Sequence, residues 1–336
     1  MTSPFVPQPL PDSGFYAKGR CLRVGLLSNP RSGGNKKGGK GVRTVLAKWP
    51  DLMHREASTP EGVSQALADF AKNSVELIII NGGDGTVQAA LTAIGNDQIY
   101  PTPPLLALLC AGTTSMLARD VGITGSPATA LPRVLEWAKS TNSSLTVRTR
   151  PVMRVLRTSQ LPPLFGMFFG AGAICQGIKI FHRRDNPMGW RGELMPAFTM
   201  LRLLLAILGK NYEKVVPLLT RTRLNGSPAA QRADLLVLIS TLERLFLGMR
   251  PYWGKEDGPL RYTAVGVEPK SLLQVLLSLF RSQQSHHATP TNGYFSHNVQ
   301  EVQLEMAGDF TLDGELYPAG KGPITITSAG TAMFLC

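Results

Sequence analysis

Two glycine-rich runs carry polar side chains that a simple turn does not need. In Gly82-Gly-Asp-Gly-Thr86 an acidic residue sits among glycines at the tip of an apolar run. Glycine adds entropy to the unfolded backbone, and a carboxylate in that place needs solvent or a cation. The combination is costly for folding unless the carboxylate is used. The plainer alternative is an Asp-Gly turn with Thr86 capping a helix, but three glycines exceed what such a turn requires. In Asn29-Pro-Arg-Ser-Gly-Gly34 the glycines let a ligand approach the backbone, and N–H groups near a helix start attract phosphate. Alone, this loop fits a purely geometric turn equally well. Neither common nucleotide motif is present: Gly33-Gly-Asn-Lys-Lys-Gly38 has no Lys-Ser/Thr ending, and Arg31-Ser-Gly has the wrong glycine spacing for G-x-G-x-x-G. A third polar turn, Asp313-Gly-Glu315, reads by itself as an ordinary hairpin.

The elements around these loops alternate. CLRVGLLSNP, from Cys21, is extended and stopped by proline, and after the glycine loop VRTVLAKW has helical spacing. The helical EGVSQALADFAKN follows, then the buried-strand run SVELIII, the NGGDG turn and the helical TVQAALTAI. A third pass gives LLALLC as strand, AGTTS as loop and MLARDVG as a helix start. Strands alternating with helices predict a parallel sheet covered on both faces, with ligands at the carboxyl ends of the strands, where all three loops fall. After about Leu145 the segments TVRTRPVMRVL, LFGMFFGAGAI, DLLVLIST, RYTAVGVE, VQEVQLEMA, FTLDGELYP and PITITSA are mostly extended, so a β-rich second domain follows. Two helical stretches, ELMPAFTMLRLLLAILG and KSLLQVLLSLF, interrupt it. His286-His287 lies in a Ser/Gln/Pro-rich stretch without the i, i+4 geometry of a metal pair and reads as surface loop.

Composition narrows the partners. The 336 residues suit two domains, and 43% hydrophobic with 17% charged residues excludes a disordered chain. The net charge of +12 is split evenly, +6 in residues 1–150 and +6 in 151–336, so it belongs to a folded body and not to a basic tail. It points to an anionic partner. Nucleic acid is set aside because no recognition helix, base-stacking platform or repeat accompanies the charge. Four dispersed cysteines argue against a zinc site or a disulfide framework and suit a reducing compartment. The Pro-rich start reads as a loose leader, and no apolar stretch reaches the ~20 residues of a membrane span.

In order and spacing, Asn29-Pro-x-Ser-Gly, Gly82-Gly-Asp-Gly-Thr86 and Gly112-Thr-x-x-x-x-Ala118-Arg119 resemble the catalytic domain of the diacylglycerol kinase and sphingosine kinase family. The related NAD kinases share the G-G-D-G-T loop but lack the N-P-x-S-G opening in this arrangement. The resemblance runs from about Arg20 to the end of the chain, because Asp313-Gly-Glu315 resembles the D-G-E segment of the family's second domain. This chain departs from the pattern at Ser115, where the family has Asn, and at Met116, where many members have Asp.

The resemblance implies an α/β nucleotide-binding domain of diacylglycerol kinase or NAD kinase type plus a β-sandwich that holds a lipid, with ATP in the cleft between them. The implied layout is a leader over 1–19, an ATP-binding domain over 20–145, a lipid-binding domain over 146–320, and a segment over 321–336 that returns to the first domain. Asn29, Ser32 and Gly33 would line the nucleotide, Thr59 would contact it, and Gly82, Gly83, Asp84, Gly85, Thr86 and Thr113 would wrap its phosphates. Asp84 would organise Mg²⁺, and Glu315, assisted by Asp313, would deprotonate the lipid hydroxyl. Gly254-Lys-Glu-Asp257-Gly-Pro-Leu resembles a segment that holds a second, structural Mg²⁺, although a solvated turn explains it nearly as well. The expected protein is a cytoplasmic lipid kinase, peripheral on the inner face of an anionic membrane, acting on a diacylglycerol, ceramide or sphingoid base. Its expected docking surface is a Leu/Met-rich helix ringed by Arg183, Arg184, Trp190, Arg191, Arg202 and Lys210, for which a core helix is the bland alternative. The competing readings are an NAD kinase relative and a catalytically degenerate lipid- or nucleotide-binding protein.

Overall fold

The computed structural model describes residues 5, 21–97, 99–112, 115–140, 145–158, 160–182, 216–245, 248–281 and 285–336. The chain divides into two compact units, Met1–Val152 with Ala329–Cys336, and Met153–Ser328.

In the first unit, β1 (Val24–Ser28), β2 (Met53–Glu56), β3 (Leu77–Gly82) and β4 (Leu105–Cys110) alternate with α1 (Asn35–Ala47), α2 (Pro60–Lys72), α3 (Asp84–Asp97), α4 (Met116–Val121) and α5 (Pro127–Ser140). The strands pair in parallel in the order β2-β1-β3-β4. All six residues of β3, LIIING, are buried, as a strand covered on both faces requires. Thr59 caps α2 by accepting from the Gly62 N–H, Pro60 fills the first turn, and Val63, Ala66, Leu67 and Phe70 turn inward at helical spacing. Leu26, Ile79, Ala107, Leu131 and Val134 share the apolar core with Leu335 from the end of the chain.

The second unit contains β6 (Leu164–Gly166), β7 (Phe168–Gly172), α6 (Ala173–His182), β8 (Leu218–Leu224), β9 (Ala230–Ser240), β10 (Leu260–Gly266), α7 (Leu272–Phe280), β11 (Tyr294–Val299), β12 (Glu301–Met306), β13 (Asp309–Leu312) and β14 (Glu315–Pro318). The pairings of these strands are antiparallel and run β14-β13-β7-β9-β8-β12, with β10 and β11 joined through β9. Phe169, Val237, Tyr262, Val302, Phe310 and Ile324 fill the core of this strand-rich, sandwich-type unit.

Two long strands carry the chain across the division. β5 (Val147–Leu156) starts in the first unit, and β15 (Ile324–Leu335) pairs with β12 through its first half and in parallel with β4 at Phe334 and Leu335. The divisions between the two units therefore fall inside strands, at 152/153 and 328/329.

The run LFGMFFGAGAI, read as mostly extended, passes into a helix at Ala173. Gly172 takes φ +70° and turns the chain directly into α6. A Cβ at Gly172 would collide with the Leu235 carbonyl oxygen on β9. Gly172→Ala therefore lowers the stability of the second unit by about 2 kcal/mol, combining left-handed strain with the collision. An unchanged denaturation midpoint would contradict this account of the turn.

Candidate functional site

The loops after β1, β3 and β4 are tied together by hydrogen bonds that few other residue types could make. Asn29 N–H donates to the Asn81 carbonyl (2.9 Å), and its Nδ2 donates to Thr86 Oγ1 (2.9 Å). Its Oδ1 accepts from Arg31 N–H (2.9 Å), closing the Asn-Pro turn. Ser32 Oγ accepts from Gly83 N–H at 3.1 Å, which joins the first loop to the second. Gly34 N–H donates to the Ala111 carbonyl at 2.8 Å, which joins the first to the third. Gly83 and Gly112 pass backbone to backbone: a Cβ on Gly112 would stand 2.8 Å from Gly83 Cα. Beneath them Gly82 packs directly on Thr86, where a Cβ would lie 2.6 Å from Thr86 Cβ.

Asp84 opens α3 with a half-buried carboxylate. Oδ2 accepts from Met116 N–H (2.9 Å) and Oδ1 from Leu117 N–H (3.0 Å), so this side chain satisfies two orphan donors at the start of α4. The side chain at position 116 takes no part in that bond. Ser115 adopts a left-handed conformation (φ 46°, ψ 44°), and its Oγ accepts from Gly112 N–H (3.0 Å) and donates back to the Gly112 carbonyl (3.1 Å). Asparagine is at home in that backbone region, and serine holds it here by closing the loop on itself. Burial pushes the Cys110 thiol up, with nearby Arg119 lowering it and Asp84 raising it further.

Of the residues expected at this site, Asn29, Ser32, Gly82, Gly83, Asp84, Gly85 and Thr86 belong to the joined loops or the first turn of α3, and Gly33 is exposed beside them. Gly33 N–H has no partner among the described residues. Thr59 is exposed and occupied as the cap of α2. Thr113 lies outside the described residues, as do Arg183, Arg184, Trp190, Arg191, Arg202 and Lys210. Asn35 was not read from the sequence, yet its Nδ2 bridges the carbonyls of Asn29 (2.8 Å) and Asn81 (3.1 Å). An amide two residues after the Ser32-Gly33 pair was the available signal.

In the second unit, Asp313 and Gly314 form the two-residue turn of the β13–β14 hairpin, with φ +49° and +94°. Both residues in the left-handed region are what a tight hairpin of Asp-Gly type demands. The Asp313 carboxylate is buried and accepts from Met167 N–H (3.0 Å) and Phe168 N–H (2.8 Å). Its own N–H donates to the Phe168 carbonyl (2.8 Å), which fixes the hairpin on β7. Glu315 follows, exposed, its side chain without a hydrogen bond or ion pair among the described residues.

Asp257 is exposed, and its neighbour Glu256 holds their loop to β11. Glu256 Oε1 lies 2.6 Å from His297 Nδ1, and Oε2 accepts from Asn298 N–H (3.1 Å). The His297 contact first, then backbone N–H groups, hold the Glu256 carboxyl at about 2. Among the described residues no group of three or more His, Cys, Asp or Glu forms a metal cage. Mg²⁺ ordinarily takes one or two carboxylates with water and phosphate oxygens, and a single half-buried Asp84 beside glycine backbone fits that mode.

Residues 23–145 match the family model described as the diacylglycerol kinase catalytic domain. The fold agrees. A crystal structure of a candidate diacylglycerol kinase from Bacillus anthracis str. Sterne superposes with a TM-score of 0.64, covering 95% of this chain and 97% of that one at 19% identity. A diacylglycerol kinase from the same organism gives a TM-score of 0.59, covering 94% and 97% at 16% identity. At those identities the likeness is one of fold: an α/β unit with an antiparallel, strand-rich partner. No curated protein sequence matches the chain.

Two outcomes follow from the geometry. Asp84→Ala strips two backbone N–H groups of their acceptor and lowers the stability of the first unit by about 2 kcal/mol, whereas Asp84→Asn, keeping one acceptor oxygen, loses less. Equal denaturation midpoints for wild type and both variants would contradict the bracing role. The stabilisation from Glu256 is full above the ordinary value of 4.5 and is lost as pH falls through about 2. It is small, because both partners are nearly half exposed. An NMR titration of Glu256 centred near 4.5 would contradict the contact.

Proposed function

We propose that the protein is an ATP-dependent lipid kinase that transfers the γ-phosphate to a hydroxyl of a diacylglycerol, ceramide or sphingoid base. The observation that carries this reading is the joining of three glycine-bearing loops at the carboxyl ends of β1, β3 and β4, in a unit that matches the diacylglycerol kinase catalytic domain. Phosphoryl transfer asks a protein mainly for positioning and charge neutralisation. Glycines leave room for phosphates against the backbone, and the first turns of α1 and α3 supply orphan N–H groups. In this reading Asn29, Ser32 and Gly33 line the nucleotide, Thr59 touches it, and Gly82 to Thr86 with Thr113 wrap the phosphates.

Asp84 is the residue to hold Mg²⁺, directly or through water, since its half-buried carboxylate stands at the start of α3 among the glycine loops and is oriented by the Met116 and Leu117 N–H groups. The ion would neutralise phosphate charge. Glu315 is the base for the lipid hydroxyl: it is exposed, free among the described residues and mounted on a turn that Asp313 fixes. Asp313 acts as a positioning residue, its carboxylate being occupied by backbone donors. Asp257 is the residue of its loop left to hold a second Mg²⁺. Among the described residues no helix is long and apolar enough to cross a membrane, which suits a peripheral enzyme that draws its substrate from a cytoplasmic membrane face.

Mg²⁺, ATP and a panel of lipids in mixed micelles, followed by mass spectrometry of the products, test the reading. Phosphorylation of at least one lipid is expected, and conversion of NAD to NADP with no phosphorylated lipid would overturn it. Glu315→Gln lowers kcat about 10²–10⁴-fold with ATP affinity unchanged. Loss of ATP affinity alone would move Glu315 to the nucleotide site. Asp84→Asn lowers kcat by more than its loss of stability explains, and near-normal kcat would sink the metal assignment.

A further inference from the structure

The helix α7 presents leucines to solvent that its own packing does not require. Its inner side is anchored: Leu272, Val275 and Leu279 pack with Ala288, Tyr294 and Trp253 in a small satellite core. The Tyr294 hydroxyl donates to the Lys270 carbonyl (3.0 Å), tying the start of the helix to β11. Outside that anchored side, Leu273 is 52% exposed and Leu277, one turn on, is 55% exposed, with Val267 at 39% before the helix. A helix fixed by one apolar face normally turns polar residues outward, so a second apolar stripe asks for a partner.

The charges at its ends say which partner. Lys270 precedes the helix and Arg281 caps its C-terminus; both are exposed and neither has a carboxylate partner among the described residues. A cation at the N-terminal end opposes the helix dipole, so Lys270 does not serve the helix itself. Between Gly258 and Gln300 Glu268 is the only acidic residue, against Arg261, Lys270 and Arg281. The exposed apolar place at the start of β8 differs. Beside Leu219 on β8, Arg221 is engaged by Glu305 (3.7 Å) and Arg223 by Gln303 (3.4 Å).

We propose that the outer stripe of α7, Leu273 and Leu277 between Lys270 and Arg281, docks the protein onto an anionic lipid bilayer, the leucines entering the headgroup boundary and the cations meeting lipid phosphates. This arrangement of an apolar stripe flanked by unpaired cations is that of an in-plane interfacial helix. Its purpose rests on the proposed lipid kinase activity, since it would bring the second unit to its substrate, but the binding itself does not depend on catalysis. It also gives the chain a membrane surface within the described residues, apart from the stretch over 183–210.

The test is sedimentation of the full chain with vesicles of phosphatidylglycerol and phosphatidylcholine, against vesicles of phosphatidylcholine alone. Wild type binds the anionic vesicles more tightly, and less so as salt rises. Leu273→Gln with Leu277→Gln weakens that binding about tenfold. Glutamine keeps the helix propensity, and an unchanged thermal midpoint shows that the fold is intact. Lys270→Gln with Arg281→Gln weakens binding about tenfold at low salt and little at high salt. Wild-type affinity in both double variants, or no preference for anionic vesicles, overturns the proposal. So does loss of self-association in the leucine variant with vesicle binding unchanged, which would make a second copy of the chain the partner. A chain that binds vesicles through α7 yet phosphorylates no lipid leaves the surface standing and removes the kinase reading.

Discussion

The first unit depends on two backbones touching. Gly83 and Gly112 approach so closely that a Cβ on Gly112 would stand 2.8 Å from Gly83 Cα and one on Gly83 3.3 Å from Gly112 Cα, and this contact lets the ends of β3 and β4 share one small volume. The first loop is then latched to both, by Ser32 Oγ on Gly83 N–H and by Gly34 N–H on the Ala111 carbonyl. Hydrophobic burial builds the sheet behind these loops, but burial is non-directional and cannot hold backbone donors at ångström positions. That placement comes from short hydrogen bonds by Asn29, Ser32, Asn35 and Asp84. The glycines make room for a ligand, and the amides and carboxylate keep the room in shape.

Asp84 and Asp313 show one device used twice. Each carboxylate accepts two consecutive backbone N–H groups, of Met116 and Leu117 in the first unit and of Met167 and Phe168 in the second. Such charge-assisted bonds are stronger than neutral ones. For Asp313, buried in a left-handed turn, the result is a rigid platform for Glu315. For Asp84, half-buried, bracing the backbone and organising a cation are compatible, because the N–H bonds orient the carboxylate before any ligand arrives.

What was legible in the sequence follows from the range of the forces involved. The parallel βα units and their loops show in local patterns: apolar runs such as LIII, glycine clusters, and Thr59-Pro60-Glu61 as a helix start. The two aspartate braces were hidden, because Asp84 reaches residues 32 and 33 positions away and Asp313 reaches 145 and 146 positions back. The hairpin at Asp313-Gly314 could be read, but not the carboxylate's destination. α6 was missed because FFGAGAI looks extended and only tertiary contact with β9 makes Gly172 a sharp corner. α5 was left unassigned because Pro132 interrupts its pattern. The burial of Ala130, Leu131, Val134, Leu135 and Ala138 outweighs that proline. The outer face of α7 was least legible, since nothing local marks Leu273 and Leu277 as outward facing until Val275 and Leu279 are seen to be anchored.

The central claim is that the joined loops of the first unit receive nucleotide phosphates. Amide hydrogen exchange of the full chain, with and without Mg²⁺ and ATP, tests it residue by residue. The account predicts new protection concentrated at the amides of 31–35 and 83–86, with the strands behind them little changed. Protection absent from those two segments at saturating ATP, or confined to the second unit, would contradict it.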